Sequence, residues 1–437
     1  MTEGKPFGLM ARFAVPMALA NALNLAYTLA DGAVLGRLLG VDAFAAVGAT
    51  ASLYWLVLSF AIGVAQGFGV LFAQRFGAKD APGLRKAFAT SALLAAGLGA
   101  LVAGAGVAWS RLALAALNTP LELMGGASLY IGWLLGGMPV TFANLLAGAM
   151  LRSLGDSKTP LRAMAFSTAL NIALDVALAV PFGIAGVAAA TLLSQLAACA
   201  YCARSLRGLG GARFTRRDLC SDSAKALLRL ALPIGARNAV IEAGGLAVQA
   251  YVNAYGADFV TGVAAAKRMY SFMLAAGSAF EASVATFVAQ NFGAGRIARV
   301  RRGVSVGLWT MLAASAVVAA ATLLFGRAAI SLLIEGEPAR IAVVLDYGQR
   351  QLMALAAGLP ALHVLFLFRS ALQGVGDTRA PALSGFLELA GRLAAVLLLA
   401  PVVGIWGVYF ADAAGWLLAA ILLAASYAAA SRSRLRP

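Results

Sequence analysis

Four short motifs occur twice in this chain, and both halves carry them in the same order. The matching segments are 12–16 (RFAVP) with 229–233 (RLALP), 73–78 (AQRFGA) with 289–294 (AQNFGA), 155–160 (GDSKTP) with 376–381 (GDTRAP), and 183–187 (GIAGV) with 404–408 (GIWGV). In a very apolar chain, such a half-length duplication is typical of transporters built from two lobes around a central path. The sequence therefore predicts two halves that share one arrangement of helices.

The composition indicates a membrane protein. Hydrophobic residues make up 62% of the chain and charged residues 12%, whereas soluble domains contain about half apolar and a quarter charged residues. The apolar runs are long enough for membrane-spanning helices, which need roughly 20 residues each. We therefore predict an all-α membrane protein. Because no small-residue cleavage site follows the first apolar run, we expect no removable signal peptide.

Twelve apolar segments are predicted to cross the membrane, six in each half. Their approximate bounds are 10–36, 45–73, 87–110, 121–151, 160–181, 183–205, 225–255, 258–290, 302–326, 342–370, 380–400 and 403–430. We predict an N-terminal lobe at 1–206, a cytoplasmic linker at 207–224 and a C-terminal lobe at 225–437. Six spans per half give both halves the same orientation, so a pseudo-two-fold axis normal to the membrane should relate two six-helix bundles.

The net charge of +16 is concentrated in alternate loops. Basic residues follow the second, fourth, sixth and eighth predicted spans and close the chain, at 75–86, 152–162, 204–217, 296–302 and 432–436. This positive-inside pattern predicts a multi-pass protein of the inner (plasma) membrane with both termini in the cytoplasm. Because the charge is explained in this way, we expect no nucleic-acid partner.

The sequence gives no indication of an enzyme. It contains one histidine and three cysteines, and no nucleophile–histidine pair, phosphate-binding loop or metal-ligand cluster is recognisable. Cys199 and Cys202 form a single Cys-x-x-Cys without a second pair, so we interpret them as reduced structural thiols rather than zinc ligands. We expect no bound cofactor.

Two carboxylates in the first half are the strongest candidates for a functional site, because a charge in the hydrocarbon region costs at least about 2.5–3.5 kcal/mol. The first predicted helix carries a polar face formed by Asn21, Asn24, Thr28 and Asp31. The fifth carries Asn171 and Asp175, four residues apart. Helix rise places both carboxylates at similar depth in the outer half of the membrane. Such a pair can share a proton or hold a small cation. The alternative is a polar contact between helices.

The second half contains charges of both signs within its predicted spans. These residues are Glu242, Lys267, Arg268, Glu388, Arg392 and Asp412, together with the single histidine, His363. Glu388 and Arg392 are four residues apart, which predicts an ion pair within one helix. For His363 we expect a hydrogen-bonded core residue, with a proton relay as the alternative. The set predicts a polar cavity without identifying a substrate.

Prolines occur at equivalent positions of the two halves: Pro16, Pro139, Pro233 and Pro360. A proline within a helix removes a hydrogen bond and kinks or softens the helix. Each of these positions is therefore either a static kink or a hinge.

At these residues the chain resembles the multidrug and toxic compound extrusion (MATE) family. The resemblance depends on the first helix with Pro16, Asp31 and Gly36, and on the repeated Gln-x-x-Gly-Ala and Gly-Asp-x-x-x-Pro motifs. It covers nearly the whole chain. It implies two six-helix bundles around a V-shaped cleft, and export of drugs and toxic metabolites in exchange for protons or sodium.

The first half is most similar to the DinF branch of that family. This similarity implies a proton or sodium site at Asp31, Asn171 and Asp175, supported by Asn24, Tyr130, Asn144 and Thr191. It also implies that the first helix bends near Pro16 when the aspartate is protonated. In the second half, Glu242 could match a glutamate of the NorM branch with a one-residue slip. The aspartate of that branch is replaced by Leu362-His363, so a second sodium site of that type is not expected.

The sequence thus predicts a secondary active exporter of amphipathic organic cations, coupled by antiport to H⁺ or Na⁺ through alternating access. We expect a monomer in the lipid bilayer with small-molecule substrates. A flippase for lipid-linked oligosaccharides or peptidoglycan precursors is the alternative, which Lys267, Arg268 and Arg392 favour and the Asp31–Asp175 pair argues against. A scaffold or receptor without transport would not need buried carboxylates.

Overall fold

The computed structural model describes residues 1–208, 216–334, 337–433 and 435, and in these ranges the chain forms helices joined by short turns. Part of the linker predicted between the halves, 209–215, lies outside the described residues, as do Arg434 and Arg436. The α-helices are α1 Pro6–Leu38, α2 Gly40–Gly77, α3 Ala81–Ala116, α4 Leu121–Gly136, α5 Met138–Ser153, α6 Lys158–Gly208, α7 Ser221–Asn253, α8 Ala257–Gly293, α9 Ile297–Ser331, α10 Pro338–Gly374, α11 Arg379–Ala394, α12 Ala400–Val403, α13 Ile405–Tyr409 and α14 Ala411–Ser433. A π-helical turn, Ala395–Leu399, joins α11 to α12.

The helices agree with the predicted set of spans. Within the described ranges, nine helices are long and apolar enough to cross a membrane, or ten if α4 and α5, bent by 47°, form one span. Helix α6 contains 51 residues, about 76 Å at a rise of 1.5 Å per residue. Since the hydrocarbon core is about 30 Å thick, α6 is long enough for two spans. Helix α7, which carries several charged residues, corresponds to the remaining predicted span and brings the number of spans to twelve.

The repeated motifs have the same backbone conformation in both halves. In the loop before α6, Asp156 accepts hydrogen bonds from the backbone N–H groups of Lys158 and Thr159, both at 3.0 Å. Before α11, Asp377 accepts one from Arg379 N–H at 3.1 Å. These carboxylates satisfy N–H groups that a helix start leaves free. The repeat is therefore visible in the structure as well as in the sequence.

Helix α6 breaks at a glycine that its repeat partner reproduces. Gly183 has φ 59° and ψ −140°, and Gly404 has φ 64° and ψ −142°. This region of backbone space is accessible almost only to glycine. The glycine therefore ends the fifth predicted span and starts the sixth.

We expect Gly183→Ala to lower the free energy of unfolding by about 1–3 kcal/mol, because a Cβ is strained at this conformation. The matched control is Gly97→Ala in α3, where an added Cβ meets nothing within 4 Å. There alanine should be neutral or stabilise by about 0.5–1 kcal/mol. Thermal denaturation midpoints in detergent measure both changes. Equal shifts for the two variants would contradict the assignment of strain to Gly183.

The chain forms two compact units whose bounds differ from the predicted lobes. The N-terminal unit comprises 15–235, and the C-terminal unit comprises 1–14 and 236–437. Helices α1 and α7 are thus each divided between the units, close to Pro16 and Pro233. In the C-terminal unit, Ser283 Oγ donates a hydrogen bond to the carbonyl of Met10 at 2.8 Å. In the N-terminal unit, a Cβ on Gly67 would lie 2.4 Å from Cα of Ala231, so α7 starts in close contact with α2.

Each unit has its own hydrophobic core. In the N-terminal unit, Phe72 and Phe88 pack edge to face with their ring centroids 4.7 Å apart. In the C-terminal unit, Trp416 stacks on Tyr270 at 5.7 Å. Such aromatic pairs contribute about 0.5–1.5 kcal/mol beyond the area that they bury. The cores hold the helices that carry the charged groups described next.

Candidate cation site

Two helices of the N-terminal unit bring the candidate carboxylates together. Asp31 lies in the second half of α1 and Asp175 in the first half of α6. Asn171 lies one turn before Asp175 on the same face of α6, and both side chains are fully buried at 0% exposure. The carboxyl groups of Asp31 and Asp175 lie close enough to share a proton. The neighbourhood predicted from helix rise is therefore present.

Several buried polar atoms of Asp31, Asn171 and Asp175 have no hydrogen-bond partner in the described part of the chain. Among the described residues, no hydrogen bond reaches Oδ1 of Asp31, either carboxylate oxygen of Asp175, or the amide oxygen and nitrogen of Asn171. More than about 90% of buried polar groups in native structures are hydrogen-bonded, and an unpaired buried charge costs several kcal/mol. A shared proton or a small cation held by carboxylate and amide oxygens would satisfy the oxygen atoms of this set.

Tyrosine and threonine hydroxyls lie beside the carboxyl groups. The hydroxyl of Tyr27 lies 3.2 Å from Oγ1 of Thr191. Tyr27 and Tyr130 are both within electrostatic range of Asp31 and Asp175. These hydroxyls place groups that can donate or accept hydrogen bonds in the neighbourhood of the two carboxylates.

A second cluster of polar side chains lies in the same unit. Thr141 Oγ1 donates a hydrogen bond to Gln195 Oε1 at 2.8 Å, and the hydroxyl of Tyr54 hydrogen-bonds to both side chains. Sequence reasoning missed Tyr54, Thr141, Gln195 and Tyr27. The signal for Tyr27 was available, since it lies four residues before Asp31 on the same helical face. The other three lie on α2, α5 and α6, and only tertiary packing brings them together.

The structure brings five of the predicted site residues together and leaves two asparagines outside the cluster. Asp31, Asn171, Asp175, Tyr130 and Thr191 lie in one cluster. Asn24 is exposed on α1, and Asn144 is half-buried on α5. Neither asparagine hydrogen-bonds to Asp175, whose two oxygens have no partner in the described structure. Pro16 is buried within α1, near the point where this helix passes from one unit to the other.

The charged residues of the C-terminal unit form ion pairs between helices. Arg369 on α10 lies between two carboxylates, 3.1 Å from Glu388 and 3.4 Å from Glu281. Arg392 on α11 pairs with Asp412 on α14 at 2.8 Å. The ion pair predicted between Glu388 and Arg392 is wrong in the described structure. Each group instead has a closer partner of opposite charge on a facing helix. The attraction between the two charges offsets part of the solvation energy that both lose on burial.

The remaining candidates of this unit do not form one site. His363 is buried, with Nδ1 at 2.6 Å from Ser315 Oγ and 3.1 Å from the carbonyl of Met311, as expected of a core histidine. Lys267 is half-buried and donates to Gln249 Oε1 at 3.4 Å. Arg268 is exposed. Glu242 is also exposed and lies within electrostatic range of Arg392.

A duplicated fold of long apolar helices with buried carboxylates on α1 and α6 is characteristic of a polytopic membrane transporter. Comparison with known families agrees with this class. The profile of the MatE family matches residues 16–177 and 233–391, which lie in the two sequence halves. The chain belongs to this family, whose members are transporters and not enzymes.

Curated relatives and solved structures support the same assignment. "Probable multidrug resistance protein YpnP" of Bacillus subtilis is 30% identical over 379 residues, covering 86% of this chain and 84% of the relative. A "FAD transporter" of Shewanella oneidensis is 28% identical over 318 residues, covering 68% of this chain and 69% of the relative. The crystal structure of "MATE in the bent conformation" superimposes with a TM-score of 0.89 at 21% identity, covering 99% of this chain and 96% of that one. The last comparison shows a shared fold.

Proposed function

We propose that this protein is a secondary active exporter that moves amphipathic organic cations out of the cytoplasm in exchange for H⁺ or Na⁺. The observation that carries the proposal is the Asp31–Asp175 pair, whose buried oxygens have no partner among the described residues. A transporter that binds and releases a coupling ion needs such a buried anionic site. Relatives named multidrug resistance proteins support export of small organic molecules.

The proposed mechanism is alternating access driven by ion binding. A cation that enters from outside binds at Asp31 and Asp175 and neutralises the buried charge. Ion binding shifts the equilibrium between the inward-open and outward-open states only if the ion binds one state more tightly than the other. The size of the shift equals the difference between the two binding free energies. To move the protein almost completely from one state to the other, the ion's binding free energies for the two states must differ by about 5.5 kcal/mol. A buried carboxylate without a partner costs several kcal/mol, so neutralising it can supply a difference of this size.

Helix α1 is suited to transmit this change. Its first residues belong to the C-terminal unit, whereas Asp31 belongs to the N-terminal unit. Pro16, close to the division, removes one hydrogen bond from the helix. We propose that α1 bends there when the site fills, in a monomer of the inner membrane with both termini in the cytoplasm.

The flippase alternative is not favoured. A pyrophosphate-linked substrate would need cations that are free to bind it, but Arg392 is paired with Asp412 and also donates to the carbonyl of Ile241 at 2.9 Å. Lys267 is hydrogen-bonded to Gln249. Four relatives are named probable multidrug resistance proteins and one a FAD transporter, and none of these five names describes a flippase.

The deciding experiment is efflux of a fluorescent organic cation from proteoliposomes under a proton gradient or a sodium gradient imposed separately. We expect one gradient to accelerate efflux above that of protein-free liposomes, which also identifies the coupling ion. Folded protein that gives no acceleration under either gradient would contradict the proposal.

A further inference from the structure

The repeat assigns each residue of the cation site an equivalent in the C-terminal unit. An offset of 221 residues relates Gly155 to Gly376 and Gly183 to Gly404, and each of these glycines has a positive φ. With this offset, Asn171 corresponds to Arg392. Asp175 then corresponds to Val396, and Thr191 to Asp412.

Tertiary contacts agree with this register. In the N-terminal unit, Ser167 Oγ donates to the carbonyl of Ser194 at 3.0 Å. The same offset leads from these residues to Glu388 and Gly415. There, a Cβ on Gly415 would lie 2.6 Å from the carbonyl oxygen of Glu388. The two crossings of helices are therefore equivalent in space as well as in sequence.

The carboxylate pair is absent from the second copy because valines replace it. Val396 takes the place of Asp175. The offset of 217 residues between Pro16 and Pro233 places Val248 where the first copy has Asp31. Val248 and Val396 are 3% and 2% exposed and belong to the same hydrophobic cluster. The second copy thus packs with apolar side chains where the first copy holds two carboxylates.

The second copy instead contains a fixed cation. Arg392 is 8% exposed, pairs with Asp412 at 2.8 Å and donates to the carbonyl of Ile241 at 2.9 Å. Glu242 and Glu388 also lie within its electrostatic range. A guanidinium keeps its charge at any physiological pH. Asp412 therefore has a permanent counter-ion that no gradient can remove.

We propose that Arg392 acts as a tethered cation that fills the C-terminal copy of the cation site and prevents Asp412 from binding a coupling ion. Ion coupling is thereby restricted to the N-terminal unit. Arg392 would be a specificity-determining residue that sets how many ions enter each cycle. This inference rests on the proposed function in one respect, namely that Asp31 and Asp175 form the open site.

The test counts the cations bound by purified protein in detergent, with radiolabelled sodium and with proton uptake followed by a pH indicator. The background is the Asp31→Asn/Asp175→Asn variant, which should bind neither ion saturably. Adding Arg392→Asn, which copies Asn171, should restore binding of a single cation. Adding Arg392→Lys, which keeps a tethered charge, should not. A further Asp412→Asn substitution should abolish the restored binding.

Equal binding by the Arg392→Asn and Arg392→Lys proteins would overturn the inference. The inference would also be overturned if the Asp31→Asn/Asp175→Asn protein still bound a cation and lost it when Asp412→Asn was added. This second comparison leaves Arg392 intact, so it decides the question even if Arg392→Asn prevents folding. A cation that remains and is insensitive to Asp412→Asn would instead contradict the proposed N-terminal site. In that case the role of Arg392 would still be decided by whether the Arg392→Asn protein binds more cations than the Arg392→Lys protein.

Discussion

Replacing Asp31 with Asn is expected to reduce gradient-driven export to the rate of protein-free liposomes while the protein remains folded. Asparagine has nearly the same shape but cannot take up a proton or supply a negative charge to a cation. It also removes the repulsion between Asp31 and Asp175, which costs free energy when both are ionised. The variant should therefore be at least as stable as the wild type. Proteoliposome efflux and the thermal denaturation midpoint in detergent measure the two effects.

The matched control is Asp42→Asn, which makes the same chemical change at an exposed position in the first turn of α2. We expect this variant to export at the wild-type rate. If Asp31→Asn transported as well as Asp42→Asn, the coupling role of Asp31 would be refuted. If both lost transport, the loss could not be assigned to the buried pair.

Replacing Arg369 with Met should have the largest effect on stability. Arg369 has a 5% exposed side chain and lies between Glu281 and Glu388. Its removal leaves two carboxylates, one of them 3% exposed, without their counter-charge. Breaking a buried ion pair in this way costs about 3–5 kcal/mol, a large part of the stability of a typical domain. We expect a strongly lowered denaturation midpoint and a reduced yield of folded protein.

Arg350→Met supplies the comparison, because Arg350 pairs with Asp346 at 2.9 Å but both side chains are nearly half exposed. An exposed pair contributes about 0–1 kcal/mol, so this variant should denature close to the wild type. Restoring charge balance with Arg369→Met/Glu388→Gln should recover part of the lost stability. A midpoint for Arg369→Met no lower than that for Arg350→Met would show that the buried pair is unimportant.

The duplication predicted the fold well because three of the four repeated motifs lie where helices start, end or break. Asp156 and Asp377 start helices, and Gly183 and Gly404 break them, so local chemistry fixes these points. The division of α1 and α7 between the units was not predictable. It depends on which neighbours the helix ends contact, and a continuous apolar segment contains no signal for that choice.

The candidate site was predictable only in part. The charges of Asp31 and Asp175 are conspicuous in apolar helices, and helix rise alone suggests their similar depth. The partners of Glu388 and Arg392 were missed because spacing along one helix says nothing about the facing helix. There, Arg369 and Asp412 supply closer opposite charges.

The division of α1 between the units has a consequence for the order of folding during synthesis. Residues 1–14 leave the ribosome before the rest of this sequence, yet their partners lie in 236–437. Ser283, which binds the carbonyl of Met10, is made more than half a chain later. Domains that are continuous in sequence can fold one after another as they emerge. The N-terminal unit, 15–235, is continuous in sequence and can be completed first, whereas the start of α1 must wait for the second half before the C-terminal unit can be completed.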